Sequence, residues 1–244
     1  MRQFVRRNRS SMLAALVGMG IFAAIYGVRI LNPLYIDWLY SGGDLSQHYL
    51  GWKGFREAAW TFPIGLTDRL IYPFSSSVIF TDSIPLLAVF FKLLSPLLPA
   101  DFQYFGLWGI VCYGLNGAVS AKILRKYLKS DLQAVTGSVF FILSFQVVFR
   151  MYVHTSLAAH WIILLAILFC VYRDSVFASV KSRVLMCVLL GIVCSGVHMY
   201  FLLMCGIILL GFALLDFLEN RDVRRPALIL LVYIAAAAGN IFIL

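Results

Sequence analysis

Charge is scarce in this chain: Asp, Glu, Lys and Arg make up 13% of its 244 residues, against 62% hydrophobic residues. With a mean hydropathy of +0.91 there is too little polar surface for a water-soluble domain, and the composition implies an integral membrane protein. Acidic residues are the rarer sign, 11 against 20 basic ones, for a net charge of +9. In a membrane protein that excess belongs in cytoplasmic loops, so no nucleic-acid partner is expected. The five cysteines (Cys112, Cys170, Cys187, Cys194, Cys205) stand in apolar runs without CxxC spacing, which argues for neither a disulfide framework nor a zinc site. HExxH, GxSxG and GxxxxGK[ST] are also missing, and with them support for zinc peptidase, serine hydrolase and nucleotide-driven chemistry. No internal repeat, low-complexity linker or convincing secretory cleavage site is found.

What is present is a series of apolar runs punctuated by basic clusters. Arg2, Arg6, Arg7 and Arg9 hold a leader (1–10) in the cytoplasm and send a first span, roughly 11–31, outward. Residues 32–103 follow as a long external loop. Within it the run Ile84–Leu98 could be a span or an external helix. Its 15 residues make at most about 23 Å of helix, against a hydrocarbon core of about 30 Å. If it crossed, Lys122, Arg125, Lys126 and Lys129 would face outside, so 84–95 is read as a re-entrant or interfacial helix. The helical bundle, 104–244, then alternates through spans at about 104–123, 132–149 and 156–172. The uncharged run Val184–Leu215 splits at Ser195-Gly196-Val197-His198, and a last span covers about 227–244. Fourteen of the 20 Lys+Arg then lie in cytoplasmic segments, while six of the 11 Asp+Glu lie in 33–103. The expectation is an all-α polytopic bundle of about seven spans, with 1–244 forming one membrane domain. The chain closes on Ile241-Phe-Ile-Leu244 inside an apolar run, as though a longer protein had been cut short.

The external loop opens with Gly42-Gly43-Asp44-Leu45-Ser46-Gln47-His48, and from Leu45 the residues Tyr49, Trp52 and Phe55 recur at near-helical spacing. This reads as a short amphipathic helix at the membrane surface, with Asp44 either capping it or presenting a carboxylate to a site, and Gln47 as its capping-box partner. Thr81-Asp82-Ser83-Ile84-Pro85 repeats the ambiguity: Asp82 or Ser83 caps the next helix, or Asp82 supplies a second carboxylate.

The expected topology gathers Asp44, His48, Asp82, Lys92, Arg150, His154, His160, His198 and Tyr200 at the outer edge, including all four histidines of the chain. Polar residues wetting helix ends account for any one of these, and less well for the set. A sugar hydroxyl needs a carboxylate to take its proton, and a departing lipid phosphate needs Arg, Lys or His. Asp44 offers the first, and Arg56, Lys92 or Arg150 the second, with Trp52 and the apolar run 84–95 beside them. Asp44, Asp82 and His48 also offer oxygen-rich ligation of a divalent cation of the Mg or Mn class, though without a ligand-spacing motif.

A basic leader, one span, a loop opening on Gly43-Asp44-Leu-Ser-Gln47-His48 and then Thr81-Asp-Ser-Ile-Pro-Leu-Leu-Ala-Val-Phe-Phe-Lys-Leu-Leu94 resembles the GT-C superfamily of membrane glycosyltransferases. Within it the chain is most similar to bacterial YfhO-like proteins and related uncharacterised membrane families. Phe149–Trp161 and Gly196–Leu203 extend the likeness. The resemblance implies an inner-membrane enzyme taking a sugar from a polyprenyl-phosphate donor at the outer face. The acceptor would be a glycan, lipid or protein, and Asp44 the general base, with Asp82 as the other catalytic candidate. The paired acidic motif of many members is a lone Asp here. A transporter or flippase would need ionisable residues through the membrane depth, whereas the spans hold only Asn116, Gln146 and Asn240. A noncatalytic assembly subunit would need no outer pocket.

Overall fold

The apolar runs form helices of bilayer length, because a chain in hydrocarbon must satisfy its own backbone polar groups. The computed structural model describes the backbone of residues 2–244 and the side chains of residues 8–244. The helices are α1 (Arg2–Tyr26), α2 (Gly43–Glu57), α3 (Pro85–Leu93), α4 (Phe105–Leu124), α5 (Asp131–Ile142), α6 (Phe145–Val153), α7 (Trp161–Val171), α8 (Val180–Val197), α9 (Met199–Asn220) and α10 (Arg224–Ile243). This is an all-α polytopic bundle and an integral membrane protein. Five stretches are long and apolar enough to cross a bilayer: Asn8–Tyr26, Phe105–Leu124, Val180–Val197, Met199–Asn220 and Arg224–Ile243. A sixth arises if α5 and α6, bent by 45° at their junction, count as one span. Thr155–Val171 is a shorter apolar helix and completes the expected seven only if it crosses as well.

Several boundaries differ from expectation. The first span ends at Tyr26, not near 31, because Gly27 takes a positive φ of 76° and Val28–Leu31 tighten into a 3₁₀ turn. The α5–α6 region, expected as one helix, breaks at Leu143-Ser144. The 32–103 loop also contains a hairpin, β1 (Leu66–Ile71) and β2 (Phe74–Ser77), paired antiparallel with Leu66 opposite Ser77. By contrast α3 has nine residues, about 14 Å of helix, and is too short to cross. The long uncharged run breaks at His198, as expected.

The chain divides into two compact units. The first comprises Met1–Tyr49 and Leu94–Leu164. Its centre is the α1–α4 pair, where glycines let the backbones touch: a Cβ on Gly18 would collide with the Tyr113 carbonyl, and one on Gly117 with the Ala14 carbonyl. Tyr26 Oη donates to Val148 O at 2.9 Å and lies 2.6 Å from Tyr113 Oη, tying α1 to α4 and α6. The buried 3₁₀ turn Thr155–Ala158 needs partners for its carbonyls. Trp108 Nε1 donates to Thr155 O at 3.0 Å and Asn116 Nδ2 to Ala158 O at 3.3 Å. Gln103, fully buried, donates to Ile30 O and Asn32 O, both at 2.9 Å, and so anchors the segment leaving α1.

The second unit comprises Leu50–Leu93 and Leu165–Leu244. Here α8, α9 and α10 pack together, with Tyr233 donating to Leu202 O at 2.7 Å and Asn240 Nδ2 to Ser195 Oγ at 2.9 Å. Gly196 on α8 leaves room for Leu86 of α3. Gly51 admits the side chains of Thr81 and Ser83, which seats the turn before α3.

Candidate functional site

In the first unit, Asp44 is the second residue of α2, and its Oδ2 lies 3.4 Å from Nε2 of His154, the residue that ends α6. Both are partly open, at 45% and 29% side-chain exposure. The expected cap role falls elsewhere: Ser46 Oγ accepts from Gly42 N at 3.1 Å, so the Asp44 carboxylate is not used as the helix cap. His48 follows one turn later on the same face of α2 and is buried at 1% exposure. Its ring lies 6.0 Å from that of His154 at 34°, and a ring nitrogen of each lies within 4.8 Å of the other. His154, at the end of α6, thus stands beside the Asp44 carboxylate and near the His48 imidazole, both from α2.

Arg150 stands one turn before His154 on α6, and its charge is felt at His160. His160 lines a cavity of about 310 Å³ with Phe140, Phe141, Ser144, Gln146, Ile163 and Leu164, where α5 and α6 part. It is thus in a different setting from Asp44 and His154.

In the second unit Asp82 pairs with His198. Asp82 Oδ1 lies 2.7 Å from His198 Nε2, and His198 Nδ1 accepts from the Tyr200 amide at 3.1 Å, capping α9. With Nδ1 occupied as an acceptor, Nε2 carries the hydrogen and donates it to the carboxylate. The Tyr200 ring packs edge-on against His198 at 4.6 Å. Asp82 and Ile84 both adopt left-handed backbone, φ 53° and 55°. For Asp that is tolerable, but for a β-branched residue it costs about 1–2 kcal/mol. Ile84 is fully buried, so packing holds the turn in the shape that aims Asp82 at His198. Ser83 Oγ lies 2.8 Å from Thr81 Oγ1, which ties the turn before α3 together.

Lys92 sits in a cage. Its Nζ lies 4.1 Å from the Phe55 ring centre and 4.5 Å from that of Trp60, donates to Ala59 O at 3.4 Å, and the residue is 4% exposed. Burial pushes its ammonium below the usual lysine range, and the Asp68 charge opposes that shift. Lys92 therefore holds the end of α2 to α3 by cation–π attraction. Trp52 is buried, with the Arg56 guanidinium 5.9 Å from its ring.

Sequence reasoning named both carboxylates and all four histidines but missed the pairing of Asp44 with His154 and of Asp82 with His198. The available signal was positional, since His154 and His198 each end an apolar helix. A family model described as Domain of unknown function (DUF6311) matches residues 15–244. The chain belongs to that family. No curated protein and no solved structure matches it. The two Asp–His pairs lie within the part of the chain that the DUF6311 family model covers.

Proposed function

We propose that this DUF6311 protein is a GT-C-type membrane glycosyltransferase of the bacterial inner membrane. It transfers a sugar from a polyprenyl-phosphate carrier to a hydroxyl on a glycan, lipid or protein at the outer face. The observation that carries the reading is the Asp44–His154 pair: a half-exposed carboxylate, spared from capping and faced by an imidazole, on the first helix after the first span. A base held by a second polar group is the arrangement that proton abstraction requires.

In the reaction the acceptor oxygen attacks the anomeric carbon as its proton passes to Asp44. The bond between that carbon and the phosphate oxygen breaks, and polyprenyl phosphate leaves with the electron pair. Arg150, close in sequence to His154, supplies positive charge for the departing phosphate. Lys92 is left out of this role because its ammonium is enclosed by Phe55 and Trp60. Asn116 and Asn240 use their amides on Ala158 O and Ser195 Oγ, inside the helix packing, which favours transfer over a polar transport pathway.

The chain reconstituted in vesicles with a panel of polyprenyl-phosphate sugars should consume donor and release polyprenyl phosphate. Solute flux without donor consumption would replace the reading with a transporter, and neither activity would favour an assembly subunit.

The proposal also requires a cytoplasmic amino terminus. Single cysteines at positions 126 and 224 should label only from the cytoplasmic side, and those at 44 and 154 only from outside. Labelling of position 126 from outside would mean that the run Ile84–Leu98 crosses the membrane.

A further inference from the structure

We infer that the groove between α1 and α5 holds one anionic glycerophospholipid, with its phosphate on Arg9 and an acyl chain laid along the two helices. The inference stands apart from the transferase reading and uses none of its residues.

α1 and α5 pack side by side within the first unit and leave between them a groove of about 590 Å³. Its polarity changes along its length. Arg9, Ser130 and Asp131 stand at one end, while Leu13, Leu16 and Val17 of α1 and Leu132 and Val135 of α5 line the rest. Arg9 is the second residue of the apolar stretch Asn8–Tyr26, so the charged end lies at headgroup level and the apolar walls lie in hydrocarbon. The eight residues from Arg9 to Val17 rise about 12 Å, most of the roughly 15 Å of hydrocarbon in one leaflet. Leu13, Leu16 and Leu132 are 41%, 65% and 74% exposed, so the groove is open to the bilayer. A groove placed there takes a hydrocarbon chain, and a charged mouth makes its occupant an amphiphile.

The charges at the mouth select the headgroup. Asp131 Oδ1 lies 2.9 Å from Arg125 Nε, and Ser130 Oγ accepts from Leu132 N at 3.2 Å to cap α5. Both are committed within the protein. Arg9 has no ion pair or hydrogen bond among the described residues. With Asp131 balanced by Arg125, the mouth keeps one uncompensated positive charge. A guanidinium grips a phosphate through two parallel N–H bonds, and a lipid of the phosphatidylglycerol type brings the single negative charge that balances it. An ethanolamine or choline head adds a cation that would meet Arg9 and Arg125, and so fits less well.

The test exposes the full chain in detergent to equal amounts of phosphatidylglycerol, phosphatidylethanolamine and phosphatidylcholine and counts retained lipid by native mass spectrometry. One phosphatidylglycerol per chain should persist, favoured over either other lipid by about 10-fold or more. Arg9→Gln should cut that retention by about 10-fold or more. Leu16→Trp, which lays an indole into the groove from an exposed position, should cut it as well. Lys129→Gln, an exposed cation outside the groove lining, should leave it unchanged and so separates a local site from general attraction to basic surface. Unfolding midpoints matched to wild type assign the losses to lipid and not to fold. Equal retention of the three lipids, unchanged retention in both groove variants, or an equal loss in Lys129→Gln would overturn the site. Displacement of the lipid by millimolar glycerol phosphate would overturn it too, by showing an anion site that needs no acyl chain.

Discussion

Asp44→Asn should reduce sugar transfer by roughly 10²- to 10⁴-fold while leaving the fold in place, because an amide cannot accept the acceptor's proton as a carboxylate does. The substitution is nearly isosteric, and the start of α2 relies on the Ser46 hydroxyl bonded to Gly42 N, which it does not touch. A loss of activity therefore cannot be blamed on a lost cap. The readings are release of polyprenyl phosphate at saturating donor and an unfolding midpoint matched to wild type. A well-folded Asp44→Asn protein with wild-type transfer would remove Asp44 from catalysis and move the assignment to Asp82, whose carboxylate is held by His198.

Gly18→Val should abolish the folded protein. Gly18 lies in α1 where a Cβ would run into the Tyr113 carbonyl of α4 and sit 2.8 Å from its carbon. That obstacle is backbone and cannot rotate away, so the two helices must separate along the contact at the heart of the first unit. Overpacking costs typically about 1–3 kcal/mol and more when backbones must move. The internal control is two residues along the same helix: Gly20 has nothing within 4 Å of an added Cβ. Gly20→Ala should therefore be neutral or stabilising by up to about 1 kcal/mol. Fluorescence-detected gel filtration in detergent after a heating series distinguishes them; a Gly18→Val protein as stable as Gly20→Ala would refute the close helix contact.

The spans were legible because bilayer thickness leaves a coarse mark, about 20 apolar residues between basic clusters. The break at His198 was legible for a related reason, since 32 uncharged residues from Val184 to Leu215 exceed one span. The bend between α5 and α6 was not, because Leu143-Ser144 carries neither proline nor an interrupting charge. The hairpin left a faint signal, Tyr72-Pro73 between short strands, hidden by a loop rich in aromatics. Both carboxylates of the candidate sites could be named from local pattern, but their roles could not. Whether Asp44 caps or faces a histidine depends on His154, more than a hundred residues away, and no spacing rule reaches that far. Lys92 illustrates the same limit in reverse: a cation read as exposed to phosphate is enclosed by rings that only the fold brings around it.

The contact among Tyr26, Tyr113 and Val148 carries a sense of direction. Tyr26 has a single hydroxyl hydrogen, and the carbonyl of Val148 receives it. The 2.6 Å approach of the two hydroxyls must then be bridged by the hydrogen of Tyr113. Donation thus runs one way, from α4 through α1 to α6, like links in a file. Phenylalanine at 113 removes the first link and leaves Tyr26 joined to Val148. Phenylalanine at 26 takes away the donor to Val148 and the acceptor of Tyr113 together, so two residues alike in chemistry are unequal in what hangs on them.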